Sequence, residues 1–177
     1  LGASVAVMVE GETVVDLWAG HADAAAEREW ERDTIVNVFS STKPMATLVM
    51  LRPADRGSID LDAPVATYWP EFAAAGKSAV LVRHVLGHTA GLSAWIEPLT
   101  GDDLYDLPLA TSRLAAQPAL WEPGSAAGYH AITQGHLLGE IVQRVTGDTL
   151  GSYFRDVFAV PLGADFHIGT GPELDAR

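Results

Sequence analysis

Ser40-Ser41-Thr42-Lys43 sets a hydroxyl and an amine three residues apart, where a strand-like run gives way to a helical pattern. Residues three apart share a helix face, so the Lys43 amine can return to the Ser40 hydroxyl. The first turn of a helix also presents unpaired N–H groups and the positive end of the backbone dipole. Both favour a developing alkoxide or oxyanion, and the chemistry they suit is attack of Ser40 on a carbonyl. Pro44 fits the first helical turn, where its missing N–H had no intrahelical partner. Ser41 stands two residues before Lys43 and does not share its face.

The pattern is weak by itself. With two lysines and nine serines in the chain, a serine falls three residues before a lysine by chance about one time in ten. The bland alternative makes Ser40 an N-cap and Lys43 a solvated first-turn residue, although a lysine at a helix N-terminus sits on the unfavourable side of the dipole. Two proton routes are open. A lysine that serves as base near neutral pH must come down from about 10.4 to about 7, which takes nearly ~5 kcal/mol of differential stabilisation. Alternatively Lys43 stays charged and depresses the phenol of Tyr129, whose phenolate then takes the Ser40 proton.

The elements that must hold these groups can be read from the pattern. Ser4 to Val9 and Thr13 to Trp18 are apolar, β-branched runs separated by Glu10-Gly11-Glu12, which predicts a β-hairpin. His21 to Asp33 is charged and alanine-rich and reads as a surface connection; Thr34 to Phe39 reads as a further strand. Ala46, Val49 and Met50 give the helix after Ser41 its apolar spacing, and Pro53 and Gly57 predict a kink or early stop. Asp60 to Pro64 and Trp121 to Ser125 are turn chemistry, and Ser78 to Leu86 is expected to be a short helix. Ile132, Leu137, Leu138, Ile141, Val142 and Val145 define one broad face of a long helix, with Gly147 as its C-cap. A last helix is expected from Thr149 to Phe158. Strands first and helices after predict an α+β fold, a mixed α/β sandwich.

Composition narrows the function. At 177 residues, 48% hydrophobic and 19% charged, the chain can bury a core. The net charge of −12 works against binding a phosphate backbone, and the basic residues form no stripe, so nucleic acid is not an expected partner. Apolar runs are broken by Glu10, Asp16, Lys43 and Arg52, and no membrane insertion is expected. Without cysteine there is neither a disulfide nor thiolate chemistry.

Three segments, in order, resemble one family. SSTKP at Ser40 to Pro44 is similar to the first motif of class C β-lactamases, DD-peptidases and the family VIII carboxylesterases related to them. VLGHTAGL, Val85 to Leu92, resembles a helix end and loop of those proteins, and PGSAAGYHAITQGHLLGEIVQRVTG, Pro123 to Gly147, resembles the motif in which a tyrosine precedes a long helix. DLDAPVATYWPEF and the closing VPLGADFHIG look like the same group. The resemblance implies a β-lactamase/transpeptidase-like fold with an antiparallel sheet and a helical region. It also implies catalytic roles for Ser40, Lys43 and Tyr129, an acyl-enzyme on Ser40, and no metal or organic cofactor. Residues 1–177 are then the N-terminal portion of one catalytic domain, with strands in 1–39 and a mostly helical region in 40–170.

Departures from the family pattern sharpen the expectation. Lactamases and peptidases of the group usually carry Tyr-x-Asn, whereas Tyr129-His130-Ala131 has no amide at the third position, which tips the reading towards small carboxylic esters over β-lactams or D-alanyl peptides. The group's third motif, on a later strand, is not found after Tyr129, so the active site is expected to be incomplete within these residues. A reading of another class makes the chain a non-catalytic remnant or binding module. His84 and His88 have the spacing of a helical metal pair but no third ligand in view, and a structural role is the expectation for both. His130 could line the pocket, and Trp18, Trp95 and Trp121 could wall it, although packing is the commoner role for each tryptophan.

Overall fold

The computed structural model describes residues 1–175 and 177. They divide into two compact units, Leu1–Val38 with Thr170–Arg177, and Phe39–Gly169.

The first unit is built on an antiparallel hairpin, β1 (Ala3–Val9) and β2 (Glu12–Ala19). Glu10 and Gly11 both take positive φ, 51° and 85°, which makes a two-residue turn whose twist matches the strands. The register slips by one residue between Val7 and Met8. Val5, Val7, Met8 and Val9 on β1, and Val14, Leu17 and Trp18 on β2, are between 40% and 67% exposed, so the hairpin leaves apolar side chains uncovered on both faces. Asp16 on β2 accepts from Arg32 at 2.8 Å, and Trp30 N–H reaches Gly20 O at 2.9 Å, which folds the connection back along the hairpin. Thr34 to Phe39 is a correction to the sequence reading: it forms no strand, and Val36 and Val38 are exposed. The β-branched residues are there, but a strand exists only where a neighbour completes its ladder.

The second unit is helical: α1 (Thr42–Asp55), α2 (Val82–Leu86), α3 (Gly101–Tyr105), α4 (Leu107–Ala116), α5 (Thr133–Thr146), α6 (Leu150–Phe154) and α7 (Val160–Leu162). Leu137, Leu138, Ile141 and Val142 of α5 are fully buried, and α1, α2, α4 and α6 all pack on that helix. Each such side chain contributes about 1.5–3 kcal/mol on leaving water. Val49 and Met50 of α1, Trp69, Phe72, Val85, Leu92 and Leu114 complete the core. Gly147, with φ +83°, closes α5 as predicted. Ile132, assigned above to the buried face, instead precedes the first turn and is 55% exposed.

Three further boundaries differ from the sequence reading. α1 does not stop at Pro53 but runs to Asp55, and the Pro53 carbonyl is reused by the N–H groups of Ser58 and Ile59. Ser78–Leu81 is not helical because Val80 and Val82 pair with Val65 and Ala63. The winding after the Thr149 cap continues to Leu162, loosening into a π-type turn at Arg155–Ala159 ahead of Pro161, which has no N–H to give.

Lys77 is buried in this unit with no carboxylate partner among the described residues. Its ammonium donates to Ala74 O and Ala115 O, each at 2.8 Å, and to Gln117 O, and so ties the turn Pro70–Gly76 to the end of α4. Burial pushes it below the usual lysine range. Lys77→Met, which keeps the stem and removes the donors, is expected to lower stability by about 1–3 kcal/mol in urea denaturation. An unchanged midpoint would mean that desolvation of the ammonium offsets its three bonds.

Candidate active site

Ser40 lies in a 3-10 turn, Phe39–Ser41, that leads directly into α1. Phe39 is left-handed, with φ +48°, a conformation that costs an aromatic residue about 1–3 kcal/mol. That twist turns the chain so that the Ser40 hydroxyl stands at the mouth of α1. Lys43, in the first turn, donates to Ala131 O at 2.8 Å and to Ser40 Oγ at 3.4 Å, and its ammonium lies 4.9 Å from the centre of the Tyr129 ring. Tyr129 Oη is 2.6 Å from Ser40 Oγ across a sequence separation of 89 residues. The three residues expected to do the chemistry therefore converge on one point.

Tyr129 is carried by the loop before α5, and that loop is stitched to the one after α2. Gly128 N–H donates to His88 O at 3.0 Å, His130 N–H to His88 Nδ1 at 3.1 Å, Leu92 N–H to His130 Nε2 at 3.1 Å, and Thr133 Oγ1 to Leu92 O at 2.6 Å. Trp121 donates its indole N–H to Ala126 O at 2.9 Å and lies flush against Gly128. A side chain at Gly128 would run into that ring.

The electrostatics favour ionisation of the phenol. The Ser40 hydroxyl, then the Lys43 ammonium, hold Tyr129 below the ordinary tyrosine value, while slight burial acts the other way. When the phenol is neutral its O–H donates to Ser40; once ionised it accepts, and Ser40 becomes the donor. His88 and His130 are both held below the usual histidine range, chiefly by burial; the Lys43 charge adds to this at His88, and a bond to Gly128 O opposes it at His130.

The other residues singled out from sequence take structural places. His130 does not line an opening: it is fully buried, edge-on to Trp121, with Nδ1 2.6 Å from Gly128 O. His84 and His88 do not pair as ligands, since Nδ1 of His84 accepts Leu81 N–H at 3.3 Å and Nδ1 of His88 accepts that of His130. Trp95 donates to Ala110 O at 2.9 Å and meets His136 edge-on, so it packs as Trp121 does. The hydroxyl that Lys43 meets is that of Ser40, not Ser41. Two contributors escaped the sequence reading. One is the Ala131 carbonyl that anchors Lys43; a backbone group leaves no trace in residue identity. The other is the link of His88 to Tyr129: the sequence reading weighs His88 only with His84 and expects a structural role, and its place against the Tyr129 loop appears only in the fold.

This chain belongs to the Beta-lactamase family, which matches it over residues 1–177. It is 43% identical to the esterase/beta-lactamase LipL of Mycobacterium tuberculosis over 175 residues, 97% of this chain and 40% of that protein. It is 34% identical to esterase EstB of Burkholderia gladioli over 180 residues, 92% of this chain and 45% of EstB. Among solved structures, a family VIII carboxylesterase superposes with a TM-score of 0.95 at 48% identity, covering all of this chain and 49% of the other. The fold is thus β-lactamase/transpeptidase-like, and the chain spans somewhat under half the length of these relatives.

Because Trp121 leaves no room beside Gly128, Gly128→Ala is expected to displace the Tyr129 loop. A loss of about 1–3 kcal/mol in urea denaturation is the predicted cost of overpacking. Unchanged stability would mean that the Trp121 wall yields freely.

Proposed function

We propose that this chain carries the nucleophile-bearing part of a β-lactamase-like catalytic domain that hydrolyses small carboxylic esters through an acyl-enzyme on Ser40. The observation that carries the proposal is the 2.6 Å contact between Ser40 Oγ and Tyr129 Oη, with the Lys43 ammonium beside both. Of the two proton routes, the phenolate route has the better geometry. Tyr129 is the nearer group to Ser40, and Lys43 is engaged with Ala131 O.

In that route Tyr129, ionised under the influence of Lys43, takes the Ser40 proton as Oγ attacks the ester carbonyl. The tetrahedral intermediate collapses, the alkoxide leaves with the proton held by Tyr129, and the acyl group stays on Ser40. Tyr129, ionised again, deprotonates a water that attacks the acyl carbon, releases the acid and restores Ser40. Lys43 keeps its charge throughout. No step calls on a metal or organic cofactor, and the partner is a small-molecule ester.

Ala131 supports the ester reading over a lactam one, since it offers only a methyl group where an amide would hold a lactam or peptide carbonyl. Hydrolysis of β-lactams is the second reading, motivated by the 43% identity to a protein named as both esterase and beta-lactamase. The convergence of Ser40, Lys43 and Tyr129 weighs against a non-catalytic remnant, in which nothing would keep three chemical groups in contact.

A short-chain p-nitrophenyl ester compared with a chromogenic cephalosporin separates the readings: turnover of the ester alone is expected. Tyr129→Phe, which removes the proton acceptor and little volume, should slow acylation by about 10²–10⁴-fold. Wild-type acylation should rise with pH and level off below the ordinary tyrosine value of 10, because the active phenol is ionised and its folded-state value is lowered. A Tyr129→Phe variant that acylates at the wild-type rate would remove Tyr129 from the mechanism.

A further inference from the structure

His88 occupies a backbone position that suits glycine. It follows the last turn of α2 with φ +60°, and Thr89 N–H returns to His84 O at 2.8 Å, closing the helix end as a left-handed residue does. A residue with a Cβ pays about 1–2 kcal/mol for that conformation. Gly87, one residue earlier, has φ −89° and makes no use of its freedom. A histidine kept at a position that glycine itself would fill without strain points to a side chain with a task.

The side chain faces Tyr129. The two ring centres are 4.8 Å apart at 56°, Nδ1 accepts the N–H of His130, and the His88 carbonyl accepts the N–H of Gly128. Through its ring and its carbonyl, His88 thus accepts the N–H groups of both residues that flank Tyr129. Behind it, buried His130 donates from Nδ1 to Gly128 O and accepts Leu92 N–H on Nε2. A backbone N–H can only donate, so each ring must offer a lone pair. His88 is therefore neutral with its proton on Nε2, and His130 neutral with its proton on Nδ1.

We infer that His88, backed by His130, is a positioning residue for Tyr129: a neutral-imidazole clamp that holds the phenol against Ser40 and releases it when His88 takes up a proton. The inference rests on the proposed role of Tyr129 as acceptor of the Ser40 proton. Protonated His88 would set one donor against another at His130 N–H and place a second cation near Lys43. Burial first, and then the Lys43 charge from α1, oppose protonation of His88; the Tyr129 and His130 rings from the loop before α5 face it, an ionised Tyr129 would favour the charge, and Arg83 and His84 lie on its own helix. The folded-state value lies below the ordinary 6.5, so the unfolded chain takes the proton first. The clamp is fully present above about pH 6.5 and is lost as pH falls through the lower folded-state value.

The test compares wild type, His88→Asn and His88→Gly in the full chain. Asparagine tolerates the left-handed backbone, can accept the same N–H through Oδ1 and does not titrate; glycine relieves the strain and removes the acceptor. Two readouts are taken: the pH dependence of the acylation burst with a p-nitrophenyl ester, and the titration of Tyr129 followed by ¹³Cζ NMR. In wild type the burst rate should fall more steeply than tenfold per pH unit below the histidine range, and His88→Asn should lose one tenfold step per unit of that steepness. His88→Gly should acylate about 10- to 100-fold more slowly than wild type above the histidine range, with the gap closing as pH falls and the wild-type clamp is released. It should do so with an unchanged or higher Tm, and with Tyr129 titrating nearer its ordinary value. Wild-type acylation and Tyr129 titration in His88→Gly, or an unaltered acid limb in His88→Asn, would overturn the clamp. If no form acylates, residues 1–177 do not carry the esterase activity by themselves, and the NMR titration, which needs no turnover, still decides: an upward shift in His88→Gly supports the clamp and none refutes it.

Discussion

The contact between Tyr129 and Ser40 sets the tolerance for the helical unit. Two hydroxyl oxygens 2.6 Å apart, on segments 89 residues apart in the chain, stay in contact only if the bodies carrying them are fixed to within a few tenths of an ångström. Ser40 rides on α1 and Tyr129 on the loop that enters α5. The packing of α1 on α5, with Val49, Met50, Leu137, Leu138, Ile141 and Val142 in one core cluster, therefore holds the Ser40–Tyr129 contact as well as the core. Lys43 makes the same connection at the surface, since its bond to Ala131 O joins the first turn of α1 to the residue two places after Tyr129.

Rigid packing alone does not aim a side chain. Two left-handed residues, Phe39 and His88, flank the site, one immediately before Ser40 and the other closing α2 against the Tyr129 loop. Local conformations this unfavourable persist where the surroundings over-determine them. Around His88 that work is done by backbone and side-chain bonds among Gly128, His130, Leu92 and Thr133, two of them between groups that are themselves buried.

What could be read from the sequence follows from which signals are local. The face of α5 and its Gly147 cap, the Glu10-Gly11 turn, and the placement of Ser40 and Lys43 at the start of α1 all depend on residues within a few positions of one another. Thr34 to Phe39 misled because β-branched composition states a preference, and the strand it needs as partner is a long-range matter. Ile132 fitted the helical period but fell before the first turn. Tyr129 was reached only through its resemblance to a family motif, because an isolated tyrosine before a helix is ordinarily a packed aromatic. The histidine stitch was not legible at all: which ring nitrogen accepts which N–H depends on two loops meeting, and nothing in the spacing of His88 and His130 announces it.

The most direct measurement is intact-mass analysis of the folded chain after exposure to a fluorophosphonate, beside a Ser40→Ala control. One adduct per chain is expected on the wild type and none on the control, because the proposed mechanism makes Ser40 an activated nucleophile. A folded wild-type chain that takes no adduct, or a control that is labelled equally, would contradict the assignment of Ser40 as the nucleophile.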